Sequence, residues 1–257
     1  MSETAVRNSK PAAGAGGLRA YFTESKGLAV SLVAIAPLWV LYEIGLRATN
    51  ANVMNGGEAV LQRVFNIFGE ENGRLIWRVV LATVFFAAGV LVIRGGVSVI
   101  KTILLIAVEG CLYGALLGPA SMMIQKKAES LFMALSPAAA LDWNRSIQNI
   151  SLSLGAGVYE EIVFRLILLS AIYFIIKKSS GSVGSHSAAA AAAAVILSAL
   201  VFSGYHYWPE GDPFVWKTFL FRAIAGAVLG TIFIFRGLGV AVYTHAAYDV
   251  LTVYFYS

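Results

Sequence analysis

The sequence predicts an all-α fold, a polytopic transmembrane helix bundle of about seven spans. Two observations carry that reading. Of the 257 residues, 58% are hydrophobic and 13% charged, where soluble domains hold about 45–50% apolar and about 25% charged residues. The apolar residues also gather in runs close to the ~20 residues that a helix needs to cross a bilayer, and Lys and Arg sit mostly at the ends of those runs. The net charge of +5 therefore reads as helix anchoring and topology. No nucleic acid is expected as a partner. The expected partner is the lipid bilayer, and the expected location is the cell membrane.

Residues 1–26 are rich in Ala, Gly and Ser, carry Arg7, Lys10, Arg19 and Lys26, and read as a basic, mostly disordered tail. The apolar run behind them is too long for the h-region of a cleavable signal peptide. Residues 27–257 read as a single transmembrane domain. The first span is expected over about 27–46, with Pro37 inside it and Glu43 reaching the interface near its end. Residues 47–75 read as a turn at Asn55-Gly56-Gly57, a short interfacial helix from Val60 to Phe68, and a polar turn from Glu70 to Arg74. The second span covers about 76–93. The third covers about 99–118, with Glu109 near its middle and the single cysteine, Cys111, as a small packed core residue. Lys126, Lys127 and Glu129 interrupt residues 120–147, which suits an amphipathic or re-entrant segment.

The fourth span covers about 149–176, followed by a Gly/Ser-rich loop with a solvated His186. The fifth, about 188–207, opens on the alanine run Ala188 to Ala194, whose small side chains let helices approach closely in lipid. A tight loop at 208–213 leads to a sixth span over about 214–235 and a seventh over about 238–256. No internal repeat of the kind found in transporters with inverted halves is evident. A cytosolic N-terminus gives the inner side the larger share of Lys and Arg, including Arg94, Lys177, Lys178 and Arg236. The positive-inside bias favours that orientation.

The residues that carry chemistry fall within about 150–250. An ionisable side chain in hydrocarbon costs at least ~2.5–3.5 kcal/mol on insertion scales, so each is a functional candidate by default. Glu161 and Arg165, four residues apart, share a helix face and can neutralise each other. Glu160, about 100° round the helix, is left without a local partner. In the fifth span Phe202 and His206 lie one turn apart, and Gly204 between them would allow close backbone approach. In the seventh, His245 and Asp249 lie one turn apart. Each piece has a plainer reading: Glu161–Arg165 as a structural staple, His206 as an interfacial residue near a helix end, His245–Asp249 as a structural hydrogen-bonded pair. Together, on three apolar helices, they make a small polar chamber that can hold water.

In order, the chain reads Glu160-Glu161-Ile162-Val163-Phe164-Arg165, then Phe202-Ser203-Gly204-Tyr205-His206, then His245-Ala246-Ala247-Tyr248-Asp249. This resembles the EExxxR, FxxxH and HxxxN/D pattern of the CPBP group of CAAX-type proteases and bacteriocin-processing or immunity proteins, also called Abi. The resemblance implies an intramembrane glutamic peptidase acting on a membrane-associated peptide or protein. It implies Glu160 as general base, His206 as the residue that helps orient and activate water, and His245 with Asp249 as the oxyanion stabilisers. Glu161 and Arg165 would hold the helix geometry, with Phe202 in support. Position 249 is Asp where Asn would offer an N–H donor; ionised Asp only accepts. Either Asp249 is protonated or it orients His245.

No cofactor is expected. A zinc site held by Glu160, His206 and His245 is the mechanistic rival, although no HExxH motif is present. A proton-coupled transporter, with Glu109 and Arg222 joining the path, and a non-proteolytic immunity or scaffold protein are the rivals from other classes. In the N-inside orientation the chamber would open toward the outer side.

Overall fold

The computed structural model describes residues 17–50, 53–125, 143–179, 186–208 and 212–255. These form helices, with no strand among the described residues. Helix α1 is Gly17–Glu24, α2 Leu28–Ala48 and α3 Gly56–Phe65, which tightens into a 3-10 turn at Asn66–Phe68. Then come α4, Glu70–Arg94, and α5, Val99–Gln125. Helix α6, Trp143–Glu161, runs directly into a π-helical segment, Ile162–Leu169, and on into α7, Ser170–Ser179. Helices α8, His186–Tyr205, α9, Trp216–Arg236, and α10, Leu238–Phe255, complete the described chain.

Each of the seven expected segments holds a helix. Five of them, α2, α4, α5, α8 and α9, are long and apolar enough to cross a membrane. The other two carry Glu160, Glu161 and Arg165, or His245 and Asp249. Those polar side chains depress the hydropathy of the helices that hold them, and the fourth segment is further divided by its π stretch.

Helices α6 and α10 are central. Helix α6 packs on α2, α3 and α10, and α10 packs on α5, α6, α2 and α9. Small residues make these crossings close, as is usual between helices in lipid. A Cβ added to Gly157 would lie 2.8 Å from the Ala246 Cβ and 2.9 Å from the Val242 carbonyl oxygen. On the other side of α10, Gly110 and Gly114 of α5 sit against Tyr243 and Ala247. The buried Ala190 and Ala194 belong to α8, which packs along α9.

Several local expectations are corrected. Asn55-Gly56-Gly57 is the start of α3, since the Asn55 side chain caps the helix by accepting from the Glu58 N–H at 2.8 Å, as Asn does at helix N-termini. Helix α3 buries Glu58, Leu61 and Gln62, so it is wedged into the bundle. Burial raises the Glu58 carboxyl above the usual carboxylate range, and the Tyr42 hydroxyl donates to it. Glu43 does not reach the interface. It is buried and paired with Arg78 at 2.9 Å and Arg47 at 3.3 Å. Glu70 to Arg74 is the first turn of α4, where Glu70 and Glu71 oppose the positive end of the helix dipole. Cys111 is exposed, because the neighbouring Gly110 and Gly114 face α10 and turn it outward. The expected segment at 120–147 lies mostly outside the described residues, as do the loops at 180–185 and 209–211.

Residues 1–16 of the expected tail also lie outside the described residues, while 17–24 form α1. A specific anchor holds this helix. Tyr21 is buried and its hydroxyl donates to Glu109. Arg236, at the end of α9, donates to Glu109 through Nε at 2.5 Å and Nη2 at 2.7 Å, and its Nη2 reaches the Ser25 hydroxyl at 3.2 Å. One residue later, Gly237 takes φ +88°, a left-handed conformation that suits glycine, and the chain reverses into α10.

Candidate active site

The site is built outward from the end of α6. Val158, Tyr159 and Glu161 are fully buried, so this stretch is fixed by packing on every face. Immediately beyond, the chain winds as a π-helix from Ile162 to Leu169. Wide turns of this kind are rare and are frequently found at functional sites. The Ser170 hydroxyl donates to the Arg165 carbonyl at 3.3 Å, five residues back, which is the spacing of a π turn.

Arg165 is 1% exposed and Glu161 0%, and the two form an ion pair at 2.9 Å. Arg165 also donates from Nη2 to the Gly226 carbonyl of α9 at 3.2 Å. Its guanidinium stacks over the Phe202 ring at 4.4 Å, a cation–π contact that gains strength when desolvated. Phe202 in turn meets the His206 ring at 4.9 Å and the His245 ring at 6.1 Å between centroids. The phenylalanine of the second motif is thus the apolar hub on which the cation and both imidazoles rest.

Glu161 does more than neutralise Arg165. Its Oε1 also accepts from His245 Nδ1 at 2.7 Å, which fixes the ring and makes Nδ1 the protonated nitrogen. His245 Nε2 then points at two other carboxyl groups, Glu160 Oε2 at 3.8 Å and Asp249 Oδ2 at 3.5 Å. A bare lone pair facing two carboxylates would be repulsive, so a proton resides among His245 Nε2, Glu160 and Asp249. His206 Nδ1 bonds the Phe202 carbonyl at 2.9 Å. A carbonyl only accepts, so Nδ1 carries the proton and Nε2 of the neutral ring is an acceptor.

Glu160, His206, His245 and Asp249 all line one cavity of about 340 Å³. That is the size of a small ligand pocket. Its remaining wall is largely apolar and includes Phe221, Ile224, Val228 and Leu229. All seven sequence-selected residues are therefore gathered here: Glu160, Phe202, His206, His245 and Asp249 at the cavity, and Glu161 and Arg165 packed around them. Gly204 is the exception among the accessory expectations. A Cβ there would meet nothing within 4 Å, so no close approach depends on it. Among the described residues, no group of three or more His, Cys, Asp or Glu side chains has metal-holding geometry.

Two features escaped the sequence. One is the Glu161–His245 bond, which joins segments 84 residues apart. The other is the place at this site of Arg222 of α9, named from the sequence only for the transporter rival: it lines the cavity, pairs with Asp212 at 2.6 Å and lies 5.5 Å from the centre of the Tyr207 ring. The signal for it was present: a cation inside an apolar span is a candidate by the same rule that selected Glu160.

Residues 142–251 match a family model described as Rce1-like, Type II CAAX prenyl endopeptidase Rce1-like. The matched stretch contains all three motifs and the helices that carry them, so this part of the chain is similar to the Rce1-like family, in line with the CPBP resemblance. No curated protein and no solved structure matches the chain. With five membrane-crossing candidates, the match supports an integral membrane protein and a CAAX-type intramembrane protease in general.

Proposed function

We propose that this chain, Rce1-like over residues 142–251, is an intramembrane endopeptidase that cleaves a peptide bond with a Glu160-activated water. One observation supports the reading above the others: Glu160, His206, His245 and Asp249, drawn from three separate stretches of chain, line one cavity. Glu160 takes a proton from water as the water oxygen bonds to the scissile carbonyl carbon. His206 Nε2, an acceptor, orients that water. The proton shared by His245 Nε2 and Asp249 is the one donated to the oxyanion; such a donor contributes ~3–4 kcal/mol. When the C–N bond breaks, the proton held by Glu160 passes to the leaving amine. Glu161 and Arg165 act through position, holding His245 and the π segment. No metal takes part.

The substrate is a membrane-associated peptide or protein, either a CAAX-type tail or an exported peptide or sorting tail. The apolar cavity wall at Phe221, Ile224, Val228 and Leu229 suits such a chain. The protein sits in the cell membrane with its N-terminus in the cytosol, and cysteines placed at 180 and 211 would report opposite sides.

The direct test compares tail cleavage in proteoliposomes by wild type, Glu160→Gln and His206→Ala. Both variants are expected to lose activity. Equal processing by all three would end the peptidase reading and leave a non-proteolytic family member. Activity lost to a strong chelator and restored by zinc would replace the glutamate mechanism with the metal one.

A further inference from the structure

A second cavity, of about 410 Å³, adjoins the first. Asp249 and Thr252 line both. The second cavity also touches Asn149, Ser153 and Ala156 of α6, and Val253 of α10. On α6, the series Asn149, Ser153, Ala156, Glu160 steps by four, three and four residues, which is one helix face. At 1.5 Å rise per residue, that face carries the groove about 16 Å along the helix, from Asn149 to Glu160. On α10, Val253, Asp249 and His245 repeat at four and make the opposite wall. The two stripes converge on the carboxylate and imidazole of the active site.

This groove holds groups that bind water. The Ser153 hydroxyl donates to the Asn149 carbonyl at 3.0 Å, which leaves its oxygen as an acceptor. Asn55, at the start of α3, also lines the second cavity. Its Nδ2 is buried and has no hydrogen-bond partner among the described residues. Buried donors are rarely unpaired, and water is their usual partner when protein is absent. Hydrolysis in a bilayer needs such a supply, since each turnover consumes one water molecule.

We propose that the groove between α6 and α10 is the route by which water reaches Glu160, with Asp249 and Thr252 forming the wall shared by the water route and the substrate cavity. The inference rests on the hydrolase reading above. Asp249 then has a second role, as the polar group past which each water moves.

The test uses full-length protein in detergent, with Cys111→Ser to remove the exposed native thiol. Single cysteines replace Ser153, Ala156, Leu154 and Ile167, and a polar, membrane-impermeant thiol reagent is the probe. Positions 153 and 156 should react at least about ten times faster than the packed 154 and the lipid-facing 167. A flat pattern overturns the route and leaves the peptidase reading untouched, because labelling needs no substrate. In a second arm, Ala156→Phe plugs the groove and Ala156→Ser keeps it open, with thermal unfolding as the folding control. The plugged protein should lose at least about tenfold in kcat with KM within twofold, and Ala156→Ser should match wild type. Fast labelling combined with an unchanged kcat in Ala156→Phe would also overturn the route. Failure of wild type itself to cleave is a separate result that bears on the peptidase reading.

Discussion

Two glutamate–arginine pairs of this bundle, one partly buried and one fully buried, differ in what surrounds them. At one, Arg236 grips both oxygens of Glu109, and Tyr21 donates to the same carboxylate. The charges cancel, and the group closes on itself to tie α1, α5 and α9 together. At the other, Glu161 neutralises Arg165 at 2.9 Å, yet a further carboxylate, Glu160, stands beside the pair and faces a cavity. Both pairs contain an intramembrane acid that composition alone would select. The difference is surplus charge next to open space: a balanced pair holds helices, while an unbalanced carboxyl at a void can do chemistry.

The contrast is broken most directly at the two acids. Glu160→Gln should lower kcat by about 10²–10⁴, the usual worth of a general base, and leave folding intact. Glu109→Gln should do the reverse. It should hold kcat within about twofold and cost about 1–3 kcal/mol in unfolding experiments, less than a fully buried pair would. If Glu109→Gln abolished cleavage at unchanged stability, the proton-transporter reading would regain ground, because this pair would then belong to a pathway. Next in size after Glu160→Gln is Arg165→Met. It strands the Glu161 charge, and should cost about 3–5 kcal/mol. The double variant with Glu161→Gln should recover part of that loss, as coupled neighbours do, while its activity stays low because the amide facing His245 Nδ1–H still accepts but no longer carries the charge that supports a proton on the ring.

Phe202→Leu comes third. Losing the stack under Arg165 should cost about 2 kcal/mol, and kcat should fall because His206 and His245 also rest on that ring. Wild-type kcat in a destabilised Phe202→Leu protein would reduce the ring to packing alone. The smallest effect is expected from Asp249→Asn, which keeps a donor near His245 Nε2 and should retain cleavage. A complete loss would show that the carboxyl itself, and not a donor in general, is required at that position.

The sequence made the bundle legible because lipid imposes a coarse and strict code: long apolar runs, interrupted by cations and turns. The site was legible because Glu160, Glu161, Arg165, His206, His245 and Asp249 are polar groups where the solvent disfavours them. What stayed hidden depended on distance or on fine winding. No glycine or proline in Ile162–Leu169 marks a π-helix. Glu43 was placed at the interface because its partner Arg78 lies 35 residues away. Local spacing showed the Glu161–Arg165 pair but could not show that His245 shares the same oxygen. Cys111 looked like core because its neighbours are apolar, yet in a bilayer an apolar neighbour says nothing about which way a side chain faces. Arg222 was the one available signal not used for the site.

Behind Glu160, Gly57 presses so close that a Cβ there would lie 2.8 Å from the Glu160 backbone nitrogen and 2.9 Å from its Cγ. Gly57 belongs to α3, well outside the stretch that carries the motifs. The chemistry is therefore not a portable module. Residues 142–251 transplanted into another scaffold would bring every reactive group and leave behind the anvil that holds Glu160 at its station. Anyone grafting this site should move α3 together with α6, and treat the glycine at 57 as part of the inheritance.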